Sequence, residues 1–278
     1  MSERPTRSDP TGAASSPGGR SRRPWLIAGG LVAVGLLALT VSWYLGRDTP
    51  VAVDTQAAID AATAGDEGER GAETSTDEEV EEEGDRDEPE PAALAADWLV
   101  DTELVTFDFD AGTGTFLGFR IDEELTTVGA TTAVGRTPDV EGSLLLADTL
   151  LDAASVTGDL TALTTDISQR DSRAQRAMRT DTFPTSTFEL TGAVDLGEVP
   201  TTGETLRVEA TGDLTLGGVT QPVTSVIEAV LLDADRLLVT GSFEVLLSDF
   251  DLTAPSAPIV VSVADTATIE FQLYLSPA

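Results

Sequence analysis

From residue 97 to the end, apolar and polar positions alternate with a period of two. Val105, Phe107 and Phe109 alternate with Thr106, Asp108 and Asp110. Leu206, Val208, Ala210, Gly212, Leu214 and Leu216 alternate with Arg207, Glu209, Thr211, Asp213 and Thr215. Val223, Ile227, Ala229 and Leu231 continue the pattern, as do Leu237, Val239 and Phe243. The last run sets Ile269, Phe271, Leu273 and Leu275 against Thr268, Glu270, Gln272 and Tyr274. This is the signature of strands with one apolar and one wet face.

Turn residues separate these runs. Leu-Gly-Gly-Val-Thr at 216–220 and Asp-Ala-Asp at 233–235 read as tight connections between antiparallel neighbours. Gly135 to Asp139 reads as a turn before the strand carrying Leu144 and Leu146, and a further strand runs from Ala154 to Leu160. Such one-faced strands in a meander must close on themselves to hide their edges, as a barrel or sandwich. The expected class is all-β, an antiparallel barrel of about eight strands with one short helix, a size that can hold one small or elongated ligand. Periodicity alone leaves open whether the apolar residues fill the interior or line it.

The helix interrupts the strands. Arg170, Arg173, Arg176 and Arg179 recur every third residue, which places them as a slanting stripe on one helical face. Phe183-Pro184 stops the helix, since proline lacks the N–H and pushes its neighbour toward extended geometry. Thr185 to Leu190 then alternates as a strand.

A different pattern precedes the barrel. Residues 25–45 carry no charge, and at 1.5 Å per residue they span about 31 Å, the thickness of a hydrocarbon core. Trp25, Trp43 and Tyr44 stand at its ends, and Arg20, Arg22 and Arg23 lie just before it. The positive-inside rule predicts a basic cytoplasmic tail at 1–24, a single transmembrane helix at 25–45 and an extracytoplasmic remainder. A cleaved signal peptide shares the charge pattern, but Trp and Tyr stand where small residues should precede a cut. Residues 46–96 are rich in Ala, Gly, Thr and acids, with the block STDEEVEEEGDRDEPEP. They offer too little apolar area to offset chain entropy and are expected to form a disordered acidic linker before the domain at 97–278.

Charge and composition narrow the chemistry. The net charge is −33, divided as +3 in 1–24, −14 in 47–96 and −22 in 97–278. Such a surface repels nucleic acid and anionic headgroups. All 16 basic residues are Arg, and there is no Cys or His. Disulfides, the usual zinc sites and His-based nucleophile systems are therefore excluded. The sequence presents no catalytic residues and no metal ligands, and no cofactor is expected. A carboxylate pair such as Asp249 and Asp251 is the remaining enzymatic option, in a chain so acidic that such pairs arise by chance.

Residues 97–278 resemble the YceI-like family of lipocalin-like, lipid- and polyisoprenoid-binding barrels. Trp98 with Asp101 resembles the family's opening. The block from Arg170-Asp171 through Phe183-Pro184 to Phe188 resembles its most distinctive stretch, and Gly212 to Val223 (GDLTLGGVTQPV) is similar to its Gly-Val-Thr-x-Pro-Val hairpin. Phe243, Asp249-Phe250 and Val263-Ala264-Asp265 follow in the family's order. Departures are equally clear. Arg173 stands where many members have His, the spacing from Arg170 to Pro184 is shorter than in the commonest members, and GRTPDVEG at 135–142 resembles a variant branch.

The resemblance implies a barrel whose interior takes a lipid or polyisoprenoid chain without chemistry on it, which makes the protein a membrane-anchored carrier, store or sensor. Phe107, Phe109, Leu214, Phe243 and Phe271 are the expected lining, because their strands put them on the apolar face. Arg173, Arg176 and Arg179 are the candidates for a polar headgroup, and the Arg170-Asp171 pair is expected to be structural. The alternative is a tethered adhesion or scaffold module with a filled core and no ligand.

Overall fold

The computed structural model describes residues 49–70, 97–126, 128–147, 149–197 and 201–278. The expected basic tail at 1–24, the expected transmembrane helix at 25–45 and most of the expected acidic linker lie outside the described residues. Among the described residues, no helix is long and apolar enough to cross a membrane.

Two helices and twelve strands are described. Helix α1 is Thr55–Arg70 and α2 is Ser168–Ala177. The strands are β1 (Asp97–Val100), β2 (Phe116–Leu125), β3 (Gly129–Thr137), β4 (Val140–Ala147), β5 (Leu150–Asp159), β6 (Thr164–Thr165), β7 (Thr185–Leu190), β8 (Val194–Asp195), β9 (Thr205–Leu216), β10 (Val219–Asp233), β11 (Arg236–Leu246) and β12 (Val260–Pro277). Eight close an all-antiparallel ring in the order β1-β4-β5-β7-β9-β10-β11-β12, with β12 pairing back onto β1. β2 and β3 extend the sheet from β12, and β6 adds to β3. Closure removes the open edges that one-faced strands would otherwise present.

The two hairpins expected from turn chemistry form. Leu216 pairs with Val219 across Gly217 and Gly218, and both glycines have positive φ, as a two-residue primed turn requires. Asp233 pairs with Arg236, and its carboxylate takes the Asp235 N–H at 2.9 Å and the Arg236 Nε at 2.6 Å.

Register fixes which face is inside. Ile227, Gly241, Phe271 and Leu117 lie opposite one another across β10, β11, β12 and β2, as do Phe243, Ile269, Phe119 and Gly135 across β11, β12, β2 and β3. Two apolar clusters fill the ends. One gathers Trp98, Leu144, Val156, Leu237 and Leu275 near the β1 closure; the other gathers Leu163, Ala174, Leu214, Val245 and Phe250 beneath α2.

Three local expectations give way. The alternation at Val105, Phe107 and Phe109 is no strand: residues 101–115 form a loop whose one β-bridge joins Asp108 and Thr113. The supposed turn at Gly135–Asp139 is strand as far as Thr137, with Gly135 and Arg136 paired between β2 and β6; only Pro138 and Asp139 make a corner.

The third concerns the linker, which is ordered over its first part. Asp54 caps α1 by accepting the Ala57 N–H at 2.8 Å. Ala58 and Ala62, one turn apart, are buried against Leu238 and Tyr274 on the outer face of the barrel. Small side chains let the helix backbone approach the sheet closely enough for Ala58 O to accept the Tyr274 hydroxyl at 2.6 Å. Low apolar content misled the expectation, since contact here comes from backbone and methyl groups.

Candidate functional site

The interior of the barrel is the site to which the strands lead. Phe119, Ile227, Phe243, Ile269 and Phe271 point inward from strands hydrogen-bonded on both sides, yet they are only partly buried. In a filled core such side chains would be sealed. They pack against the two apolar clusters without being sealed by them, so the inward wall here is apolar.

Three of those walls carry the same device. A Cβ on Gly135 would fall 2.4 Å from Phe119 Cε1, one on Gly212 would fall 2.3 Å from Phe188 Cζ, and one on Gly241 would fall 2.4 Å from Phe271 Cζ. Each ring lies across the bare backbone of the neighbouring strand, where a side chain would otherwise stand. Phe119 and Phe271 are directly opposite their glycines, and Phe188 is diagonal to its own.

Of the five residues expected to line the interior, Leu214, Phe243 and Phe271 face inward, Leu214 buried in the cluster beneath α2 and the two rings partly buried against the clusters. Phe107 and Phe109 do not. Phe107 packs its ring 6.1 Å from Phe116, and Phe109 lies 5.7 Å from the Arg136 guanidinium, both on the outer side of the sheet. Their alternation belongs to a loop, so it carries no inside face. Phe119, Phe188, Ile227 and Ile269 share this inward face as well. The signal for the two aromatics is the glycine at an inward position of the adjacent strand, which looks like a gap in the alternation until the strands are paired.

The helix block separates into structural and exposed arginines. Arg170 Nη2 donates to Glu123 Oε1 at 2.5 Å and Nη1 to Asp166 Oδ1 at 3.0 Å. Asp171 accepts the Thr165 N–H at 2.8 Å and its hydroxyl at 2.6 Å. The Arg-Asp pair thus ties α2 to β2 and β6. Burial pushes the Glu123 carboxyl above its ordinary value, and Arg170 works against that rise.

Arg179 is structural too. It occupies the left-handed position (φ 61°) of a Schellman cap, with Arg179 N donating to Arg176 O at 3.1 Å and Thr180 N to Gln175 O at 3.1 Å. Its guanidinium stacks 5.3 Å from the Phe183 ring centroid and donates to Gly217 O and to Phe250 O. That joins the helix end to the β9–β10 turn and to the 3₁₀ turn at Leu247–Phe250. Arg173 and Arg176 remain exposed on α2.

Asp249 and Asp251 do not share a strand face. Asp249 sits in the 3₁₀ turn and Asp251 follows it in the left-handed region (φ 53°), so the geometry assumed for a catalytic pair is absent. Among the described residues, no group of three acids, Cys or His is placed to hold a metal ion.

The known proteins agree with this architecture. The model of the YceI-like domain matches residues 106–275. A UPF0312 protein of Enterobacter sp. (strain 638) is 31% identical over 178 residues, covering 60% of this chain and 81% of that protein. Protein YceI of Escherichia coli O157:H7 is 30% identical over 145 residues, 51% of this chain and 64% of its own length. Among solved structures, a polyisoprenoid binding domain from Saccharophagus degradans superposes with a TM-score of 0.50 at 20% identity, covering 66% of this chain and 99% of its own, a likeness of fold. Matched by its family model over most of its length and by a relative across four-fifths of that relative, this chain belongs to the YceI-like family.

Proposed function

We propose that the barrel binds a lipid or polyisoprenoid chain in its apolar interior, as a carrier, store or sensor that does no chemistry on it. The observation that carries this reading is the partial burial of Phe119, Ile227, Phe243, Ile269 and Phe271 on an inward, fully hydrogen-bonded wall. An enclosed hydrocarbon gains about 0.8 kcal/mol per CH₂ removed from water, so a long chain needs few polar contacts. Membership in the YceI-like family supports the reading, as does the likeness of fold to a domain described as polyisoprenoid-binding. In the same proposal, residues 25–45 anchor the protein in the membrane with its N-terminus in the cytoplasm and the barrel outside. Arg173 and Arg176 meet the ligand's polar head, and Arg179 leaves that role for its structural one.

Native mass spectrometry of the full chain, purified in mild detergent, tests the proposal. A co-purified lipid of defined mass, displaced by an added polyprenyl alcohol, is the expected result. A protein that carries no lipid and takes up no polyprenyl alcohol overturns it and favours a filled scaffold module.

A further inference from the structure

Resting on the lipid-binding reading, we infer that α2 is a lid on the barrel: it swings open from its N-terminal side, about its Arg179 end, and gives the ligand its way in and out.

α2 lies over the apolar cluster of Leu163, Leu214, Val245 and Phe250, yet Ala174 is the only one of its ten residues that is buried. Met178, just past its last turn, adds one partly buried side chain. Burial stabilises in proportion to the apolar area removed from water, so one methyl group does little to hold a helix down. Polar ties hold α2 instead, and elements held by few apolar contacts are the ones that open locally.

The ties differ at the two ends. At the N-terminal end Ile167 supplies no side-chain cap, and the hold on the barrel wall is Arg170, which meets Glu123 of β2 at 2.5 Å. Those side chains are 17% and 6% exposed, and taking such a pair out of water cancels much of its attraction. The raised Glu123 carboxyl reflects that cost. Asp171 and Gln175 bind Thr165, Thr161 and Leu163, the segment just before the helix, and add no tie to β2.

At the C-terminal end the Schellman cap, the Arg179 guanidinium on Gly217 O and Phe250 O, and the Phe183 ring against Gly218 fix the chain as it enters β7. One end is a latch made by a single side chain, and the other is a hinge. The opposite end of the barrel has no such part. Trp98 and Leu275 there are fully buried on β1 and β12, strands paired within the ring.

Hydrogen exchange and ligand kinetics of the full chain in detergent test the lid. In the wild type, the hydrogen-bonded amides of α2 should exchange at least about tenfold faster than those of β9 to β12, through openings that leave the strands intact. Arg170→Gln should speed the α2 amides by about a further tenfold and leave the strands unchanged. Adding Glu123→Gln removes the carboxylate stranded by that change, so the double variant should show the same effect without a buried lone charge. With a polyprenyl alcohol as probe, both variants should take it up and release it faster by the same factor. Kd should stay within about twofold, because a lid alters the route and not the bound state. Amides of α2 that exchange only together with the strands overturn the inference, as does Arg170→Gln speeding helix and strands alike. Faster release with unchanged uptake also overturns it, and makes Arg170 a ligand contact. A wild type that takes up no polyprenyl alcohol overturns the lipid-binding reading, and the exchange of α2 then decides by itself whether the helix opens.

Discussion

Glu270 holds a different arginine on each carboxylate oxygen: Oε2 accepts from Arg120 Nε at 2.9 Å and Oε1 from Arg136 Nη2 at 2.9 Å. The three sit on the outer face of the barrel, where the Arg136 and Glu270 side chains are 0% and 2% exposed. Burial pulls the Arg136 guanidinium below its ordinary value, and Glu270 opposes that shift. One carboxylate serves two guanidiniums, so the surplus donors turn to main-chain carbonyls of Pro50, Val51 and Phe109. Removing the carboxylate would leave both cations uncompensated. Glu270→Ala is expected to cost about 3–5 kcal/mol in denaturant unfolding, whereas a matched apolar replacement of all three residues should cost far less. A loss below about 1 kcal/mol for Glu270→Ala would show that the triad is already well solvated.

The same triad makes the segment before the acidic block part of the folded domain. Pro50 and Val51 accept from the arginines, Thr55 Oγ1 donates to Glu228 Oε2 at 2.5 Å, and Ala58 O takes the Tyr274 hydroxyl. A protein beginning at residue 97 lacks all of these partners. It should unfold at lower denaturant than one beginning at residue 49, by at least about 2 kcal/mol given the worth of hydrogen bonds to charged groups. A synthetic peptide spanning 49–64 should recover part of the difference. Equal stability of the two proteins would mean that the strap rests on the barrel without supporting it.

How much of this was legible depended on whether a feature is local. Alternation and the Gly217-Gly218 turn are local, and they located the strands from β9 onward and their inward residues, Leu214, Phe243 and Phe271 among them. The Phe107 and Phe109 alternation carried the same local signal, but a loop of 101–115 lies over Arg136 and never joins the sheet. The ring–glycine pairs needed the register, because Phe188 and Gly212 are meaningful only once β7 lies beside β9. Composition failed at α1. Two alanines one turn apart look too weak to pack, yet their small size is what brings the helix backbone within reach of Tyr274.

Glu123 gives the fold a pH dependence of definite sign. Burial raises its carboxyl above the ordinary value, with Asp166 adding to the rise and Arg170 opposing it. A carboxyl whose folded pKa exceeds its unfolded one binds its proton more tightly in the native state. Its ionisation therefore destabilises the fold as pH rises through the window between the two values, and the cost vanishes below the unfolded value. Glu123→Gln mimics the protonated form. The melting temperature of the wild type relative to Glu123→Gln should fall as pH rises above the ordinary glutamate range. A constant difference would mean that Arg170 fully compensates the buried charge.

Arg176 and Arg179 lie on one stripe in the sequence, and the structure assigns them opposite sensitivities. Arg179 closes a Schellman cap in the left-handed region and joins α2 to Gly217 and Phe250. Arg179→Ala should destabilise by about 1.5–3 kcal/mol for the lost charged hydrogen bonds. Arg179→Gly loses the same bonds but relieves the left-handed strain, so it should be the milder variant by about 1 kcal/mol. Arg176 is exposed, and Arg176→Glu should leave the melting temperature unchanged. If Arg176 meets a ligand head, that variant should load an anionic polyprenyl phosphate more weakly than wild type, with the difference shrinking as salt screens the exposed charge. Equal loading at low and high salt would make Arg176 a solvated position on α2. Loss of loading with unchanged melting would separate the head contact at Arg176 from the structural tie at Arg179.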